Sequence, residues 1–349
     1  MSQRTWAGLT ALVLLAVLWL AALAVPLPYV TYAPGPTYDI LSAHDGQERV
    51  QVSGREAFHD DGEMRLTTIY VDEPQDRVGL LRLLQAYVDP DEAVYPYSAV
   101  YAPDETDESH DVESAVQMVS SQDAAVAAAL TELDLDVSPV VEVLHVVPGL
   151  PADGKLEVRD ELVRIGGTEI TSAQDVVDAV DAAPAGEPLP FVVRRKGEEE
   201  TVEITPKIVD GDKRVGITPG AGYDFPFDVS VDIDSAVGGP SAGLMFALAI
   251  YDTLTPGPLA GGGSVAGTGT VDGDGNVGRI GGIQQKIAGA RDAGAELFLV
   301  PAGNCADVGG VDPEDMRLAS VSTLHEGVQA LEAWAADPDA DLPTCEEAS

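Results

Sequence analysis

The stretch VGGPSAGLMFALAIYDTL, residues 237–254, decides the fold of the C-terminal part of this chain. It sets one serine, Ser241, among small residues directly before an apolar run long enough for about three helical turns. Two interpretations of this serine are open. Its hydroxyl is suited to cap the helix that follows. A serine among glycines at the start of a helix is also suited to act as a nucleophile, provided that the chain supplies a base.

Composition excludes one broad class of partner. The 349 residues are 45% hydrophobic, which is enough for more than one packed domain. The formal net charge is −40, from 59 acidic and 19 basic residues. Binding to nucleic acid needs a basic face. We therefore expect no nucleic-acid partner.

The N-terminus predicts export. The 20 residues Trp6–Val25 contain no charge and follow Arg4. A run of this length can span a bilayer, so we predict a single transmembrane helix. Ala22–Ala24 also fits the pattern of a cleavage site, which leaves a cleaved signal peptide open. The positive charge before the run predicts that the remainder lies outside the cytoplasm, on a single-pass protein of the cell membrane.

The chain contains two cysteines, Cys305 and Cys345. An exported protein can form a disulfide between them, and two unrelated thiols are the alternative. No CxxC or histidine–cysteine cluster predicts a metal site. The sequence also contains no GxxxxGK[ST] motif, so we expect no ATP and no other cofactor.

A nucleophilic serine needs a base, and a lysine is the best candidate. None of the five histidines lies in a distinctive setting. Lysine can accept a proton when burial lowers its pKa towards neutrality. If residues 280–294, IGGIQQKIAGARDAG, form a helix, Lys286 shares its face with Ile283, Ile287 and Ala290. The alternative is a lysine whose stem covers apolar surface while its amine stays in water.

The middle of the chain resembles a PDZ domain of the bacterial, permuted type. The resemblance rests on Pro148–Ala152, on Arg159-Asp160 followed by residues 162–167, and on a helix from Ala173, and it covers about 120–208. It implies that an extended peptide binds by adding a strand to a sheet edge. A small module that only spaces or docks its neighbours remains the alternative.

Three motifs resemble the proteolytic domain of the Lon family. They are GPSAG at 239–243, Thr268-Gly269, and IGGIQQK at 280–286, and the resemblance covers about 225–337. It implies that Ser241 is the nucleophile, that Lys286 is its base and that Thr268 supports the lysine.

The glycines around Ser241 predict an oxyanion site. Glycine permits close approach of a substrate, and the start of a helix favours developing negative charge. We expect the donors to be the main-chain N–H groups of Gly239 and Ser241.

These patterns together predict the fold class and the organisation of the chain. We expect an α+β protein that resembles the membrane-anchored, PDZ-containing Lon-like proteases without an ATPase module. The predicted segments are a cytoplasmic stub and anchor (1–28), a neck with a strand and loop region (29–119), a PDZ-like domain (120–208), a Lon-like domain (209–337) and an acidic tail (338–349).

The expected function is that of an ATP-independent serine endopeptidase that cleaves peptides or flexible protein segments outside the cytoplasm. The alternative is a membrane-anchored PDZ scaffold whose Lon-like domain is inactive or only processes itself. The expected partners are a peptide or protein substrate and the membrane. Since Lon proteolytic domains often form rings, the resemblance also implies a homo-oligomer as one option.

Overall fold

The computed structural model describes residues 3–44, 46–76, 78–184, 186–209, 211–234 and 237–345. Its helices are α1 (Gln3–Ala24), α2 (Leu80–Val88), α3 (Tyr97–Val100), α4 (Asp107–Glu132), α5 (Ala173–Ala182), α6 (Gly243–Leu254), α7 (Ile283–Asp292) and α8 (Leu324–Ala336). Its strands are β1 (Tyr29–Asp39), β2 (Ala43–His44), β3 (Gln47–Glu48), β4 (Val50–Ser53), β5 (Glu63–Val71), β6 (Ala93–Pro96), β7 (Ser138–Val146), β8 (Glu161–Ile165), β9 (Thr168–Glu169), β10 (Leu189–Arg195), β11 (Glu198–Ile204), β12 (Lys207–Val209), β13 (Asp212–Arg214), β14 (Ile217–Asp224), β15 (Asp228–Val231), β16 (Ser264–Gly267), β17 (Thr270–Val271), β18 (Val277–Gly278), β19 (Leu297–Pro301) and β20 (Arg317–Val321).

One sheet carries the C-terminal part of the chain between two helical layers. Its strand order is β20-β19-β16-β5-β1-β6, and the first four strands run parallel. Side chains alternate between its two faces. Val265 of β16 packs in the core that contains α6, and its neighbour Ala266 packs in the core that contains α7. The alternation therefore places α6 and α7 on opposite faces of the sheet.

The strands β1 and β5 belong to this same sheet. We predicted an extended neck for the residues just after the N-terminal apolar run. The structure instead pairs β1 with β5 and β6, and β5 with β16. Met64 and Leu66 of β5 are fully buried in the core beneath α6. The parallel pairing joins residues about 200 positions apart in sequence, such as Leu66 and Gly267, so no local sequence pattern predicts it.

The PDZ-like region forms a second, antiparallel sheet with strand order β11-β10-β8-β7-β14. Helix α5 closes its core, in which Phe191 and Ile165 are fully buried. The helix predicted from Ala173 is present. Strand β14, which lies beyond that range, pairs with β7 along its whole length.

Helix α4 joins the two halves of the molecule. It begins at Asp107 because Thr106 and Ser109 form reciprocal capping bonds. The acidic residues Asp107 and Glu108 in its first turn also suit the positive end of the helix. Further along, α4 packs against α6 and against strands β7 and β14.

The N-terminal apolar run forms helix α1 up to Ala24. None of the helices that the structure describes combines the length and the hydropathy needed to cross a membrane. The predicted transmembrane anchor is therefore not confirmed. Residues 1–2 of the predicted stub and 346–349 of the predicted acidic tail lie outside the described residues.

The two cysteines form a disulfide. Cys305 and Cys345 are bonded across 40 residues of chain and pack beside Met316 and Val300 in the core beneath α7. The bond ties the C-terminal segment to the sheet.

We expect the double variant Cys305→Ser/Cys345→Ser to lower the free energy of unfolding by about 3 to 4 kcal/mol, because opening a loop of this length frees the unfolded chain. Chemical denaturation of the oxidised protein and the variant measures this loss. An unchanged unfolding midpoint would contradict it.

A buried carboxyl pair lies between α4 and the PDZ-like sheet. Glu142 of β7 is 5% exposed and Asp123 of α4 is 3% exposed. Nε of Arg159 donates to Oδ1 of Asp123 at 2.9 Å, whereas Oε1 of Glu142 has no hydrogen-bond partner within the described structure. Burial, followed by the neighbouring charge of Asp123, raises the pKa of Glu142 well above its ordinary value.

This carboxyl makes the fold less stable as the pH rises above about 4.5, because the folded state holds a proton that the unfolded chain releases. Glu142→Gln imitates the protonated side chain. We expect this variant to melt at a higher temperature than the parent at pH 8, with the gain vanishing near pH 4. The exposed Glu198→Gln serves as the control, and an equal gain in both variants would refute the explanation.

Candidate active site

Ser241 precedes helix α6 but does not cap it. The helix begins at Gly243, its N-cap residue is Ala242, and no side chain makes a capping hydrogen bond there. The cap interpretation of Ser241 is therefore wrong. Its hydroxyl instead accepts a hydrogen bond from Nζ of Lys286, with Oγ and Nζ 3.0 Å apart.

Lys286 approaches this serine from the other helical layer. Ile283 and Ile287, which share its face of α7, are buried, and Lys286 itself is only 3% exposed. The interpretation as a lysine with its amine in water is therefore wrong. Burial lowers the pKa of Lys286 to about 7. A large fraction of this amine is therefore neutral at physiological pH.

Gly282 allows α7 to start close to strand β5. It adopts a left-handed conformation, with φ 68°, directly before the helix. A Cβ at this position would lie only 2.8 Å from Cδ1 of Ile69. A side chain here would strain the backbone and would force the side chain of Ile69 to move.

Sequence reasoning missed Thr67. The main-chain carbonyl of this β5 residue accepts a hydrogen bond of 2.6 Å from Nζ of Lys286. The hydroxyl of Thr67 donates to the carbonyl of Gly267, which fixes β5 beside β16. A carbonyl has no signature in the sequence, and only the non-local pairing of β5 with β16 brings this one to the site.

Thr268 lies at the site, but its hydroxyl makes a different hydrogen bond from the one predicted. We expected its hydroxyl to bond the amine of Lys286. The hydroxyl instead donates to the main-chain carbonyl of Ser241 at 2.9 Å, and the N–H of Gly269 donates to the same oxygen at 2.9 Å. Thr268 is completely buried. It therefore positions the backbone that carries Ser241.

The two predicted oxyanion donors differ in their surroundings. Gly239 has φ +81°, a conformation that favours glycine, and its N–H points to the carbonyl of Ser114 on α4, 3.4 Å away. This donor is already engaged, so the prediction for Gly239 does not fit the structure. Among the described residues, the N–H of Ser241 has no hydrogen-bond partner. Helix α4 also holds this loop through Ser121, whose hydroxyl donates to the carbonyl of Pro240 at 3.0 Å.

Comparisons with known proteins agree with both resemblances. Residues 232–331 match the family model of the Lon protease (S16) C-terminal proteolytic domain. Residues 108–205 match the model of the PDZ domain. The chain combines a PDZ domain with a Lon-type proteolytic domain. The comparisons found no ATPase domain in it, and a search of curated proteins found no match.

Several solved structures are similar to part of the chain. The PDZ domain of an SdrC-like protein from Listeria innocua is 25% identical over 22% of this chain and 90% of that chain, with a TM-score of 0.21. Its counterpart from Listeria monocytogenes is 24% identical over 23% of this chain and 86% of that chain, with a TM-score of 0.22. A protein from Geobacillus thermodenitrificans is 27% identical over 21% of this chain and 84% of that chain, with a TM-score of 0.20.

Proposed function

We propose that the protein is a serine endopeptidase that uses a Ser241–Lys286 dyad. The observation that carries this proposal is the 3.0 Å separation of Oγ of Ser241 and Nζ of Lys286, with the lysine buried. The match to the Lon-type proteolytic domain makes a serine peptidase the expected activity. The dyad specifies how that activity would arise in this chain.

The hydrogen bonds of Lys286 suit the role of a general base. A neutral lysine amine has two N–H donors and one lone pair. One donor remains on the carbonyl of Thr67, and the lone pair then faces the hydroxyl of Ser241. Oγ attacks the scissile carbonyl carbon as its proton passes to Nζ. The resulting ammonium returns that proton to the leaving amine, and water later releases the acyl group by the same exchange.

The backbone around Ser241 supports the oxyanion. The carbonyl of Ser241 is held by Thr268 and Gly269, which fixes the peptide plane that follows the nucleophile. The N–H of Ser241 lies at the start of α6, where the helix dipole favours negative charge. We propose that this N–H is one of the donors that stabilise the tetrahedral intermediate.

The substrates that suit this chain are peptides and flexible protein segments. The sequence contains no ATP-binding P-loop, so nothing in it would unfold a stable substrate. The PDZ domain is suited to recruit an extended peptide. A disordered protein should be cut at the same rate with and without ATP, and a stably folded protein should resist. Faster cleavage with ATP, or no cleavage of either substrate, would overturn this proposal.

We also propose that the N-terminal segment attaches the protein to the cell membrane and that the peptidase faces away from the cytoplasm. The 20-residue run without charge supports this, and so does the exposure of α1 side chains such as Leu12 and Leu18. Extraction of membranes with alkaline carbonate tests the attachment. An integral protein stays in the pellet, and release into the supernatant would contradict the proposal.

A further inference from the structure

A small cavity opens beside the nucleophile and takes no part in the chemistry proposed above. Its volume is about 250 Å³, and Pro240, which is bonded to Ser241, forms part of its wall. The Cα atoms of adjacent residues lie about 3.8 Å apart, so this wall is next to the reacting serine. The other apolar walls come from Val116, Ala124, Leu144 and Val271.

The cavity and the nucleophile share the same supports. Ser121, which lines the cavity, donates to the carbonyl of Pro240. Thr270, which also lines the cavity, follows directly after the Thr268-Gly269 pair that holds the carbonyl of Ser241. Because Pro240 is both part of the wall and the residue before Ser241, we infer that a side chain next to a substrate carbonyl on Ser241 would lie near this opening.

The PDZ domain supplies one wall. Leu144 belongs to strand β7 and is 8% exposed. Val141 and Val143 of the same strand pack in the PDZ core. Leu144 instead lines the cavity together with α4 residues such as Val116 and Ala124, and it is not part of that core. A change at Leu144 can therefore reshape the cavity without emptying the centre of the PDZ domain.

We propose that this cavity is a specificity pocket for an apolar side chain next to the scissile bond, and that Leu144 and Ala124 set its size. The proposal rests on the proposed peptidase function. The polar lining residues are Gln117, Ser120, Ser121 and Thr270, and none of the lining residues is charged. A charged side chain would therefore lose its water without gaining a partner of opposite charge. An apolar cavity of about 150 Å³ accepts benzene, so this larger cavity has room for leucine or phenylalanine.

Two substitutions test the pocket in opposite directions. Ala124→Leu fills it, and we expect kcat/KM for peptides with leucine or phenylalanine beside the cleaved bond to fall about 10-fold or more relative to alanine peptides. Leu144→Ala enlarges it, and we expect kcat/KM for phenylalanine peptides to rise relative to kcat/KM for alanine peptides. Cleavage of the alanine peptides shows that each variant is folded.

The control is Ala115→Leu, an equal change at an exposed position of α4. The experiment uses the full chain and peptide sets that vary each position around the cleaved bond. If cleavage depends on Ser241 but neither Ala124→Leu nor Leu144→Ala changes the preference at any position, the pocket is refuted and the peptidase stands. If no cleavage depends on Ser241, both proposals fail.

Discussion

Replacing Ser241 by alanine is expected to reduce peptide cleavage by about 1,000-fold or more, because in the proposed mechanism this hydroxyl is the protein group that attacks the substrate carbonyl carbon. The fold should not change. The serine side chain makes no helix-capping hydrogen bond, and its Oγ accepts a hydrogen bond from Nζ of Lys286. Steady-state kinetics on a cleaved peptide measures the loss in kcat/KM.

A matched control is Ser230→Ala, which removes an exposed hydroxyl from strand β15. We expect this variant to cleave as fast as the parent. Equal activity of the parent and Ser241→Ala would mean that another group attacks the substrate, or that a contaminating enzyme does so. The PDZ scaffold with an inactive Lon-type domain would then be the better account.

Replacing Lys286 by methionine is expected to cause a comparable loss, because the serine then has no base. In the parent, kcat/KM should rise as the pH passes through about 7, since the fraction of neutral lysine rises there. An ordinary lysine would give this rise near pH 10.4. Lys207→Met, at an exposed position of β12, is the control and should keep both the rate and the pH profile.

The same lysine should also make the stability of the fold depend on pH. The pKa of Lys286 is about 7 in the folded protein, so between pH 7 and about 10.4 the unfolded chain binds a proton that the folded protein does not. The parent should therefore become more stable as the pH rises across this interval. Lys286→Met avoids burying an amine and should melt at or above the parent temperature at pH 7. A much lower melting temperature would show that the lysine is needed for folding instead.

The sequence predicted both side chains of the proposed dyad because each lies in a short motif with helical context. The apolar run after Ser241 predicted α6, and the spacing of Ile283 and Ile287 predicted that Lys286 faces the interior. The pairing of the two residues came from the family resemblance. Nothing in their separation of 45 positions implies a contact.

The sequence could not predict which contacts position the side chains of the proposed dyad. The partners are main-chain atoms: the carbonyl of Thr67 for the lysine, the carbonyl of Ser241 for Thr268 and the carbonyl of Ser114 for Gly239. Every residue has such a carbonyl, so its role depends on which distant strands and helices meet. Strand β5 and helix α4 reach the site through tertiary packing alone, and for this reason the N-terminal segment looked separate from the proteolytic domain.

The most direct test of the dyad is the pH dependence of Ser241 labelling by a fluorophosphonate probe, followed by intact mass and peptide mapping. We predict that one label forms on Ser241, that its rate rises with a midpoint near pH 7, and that Lys286→Met reacts far more slowly across the whole range. A label on another residue, a midpoint near pH 10, or an unchanged rate in Lys286→Met would contradict the proposed Ser241–Lys286 mechanism.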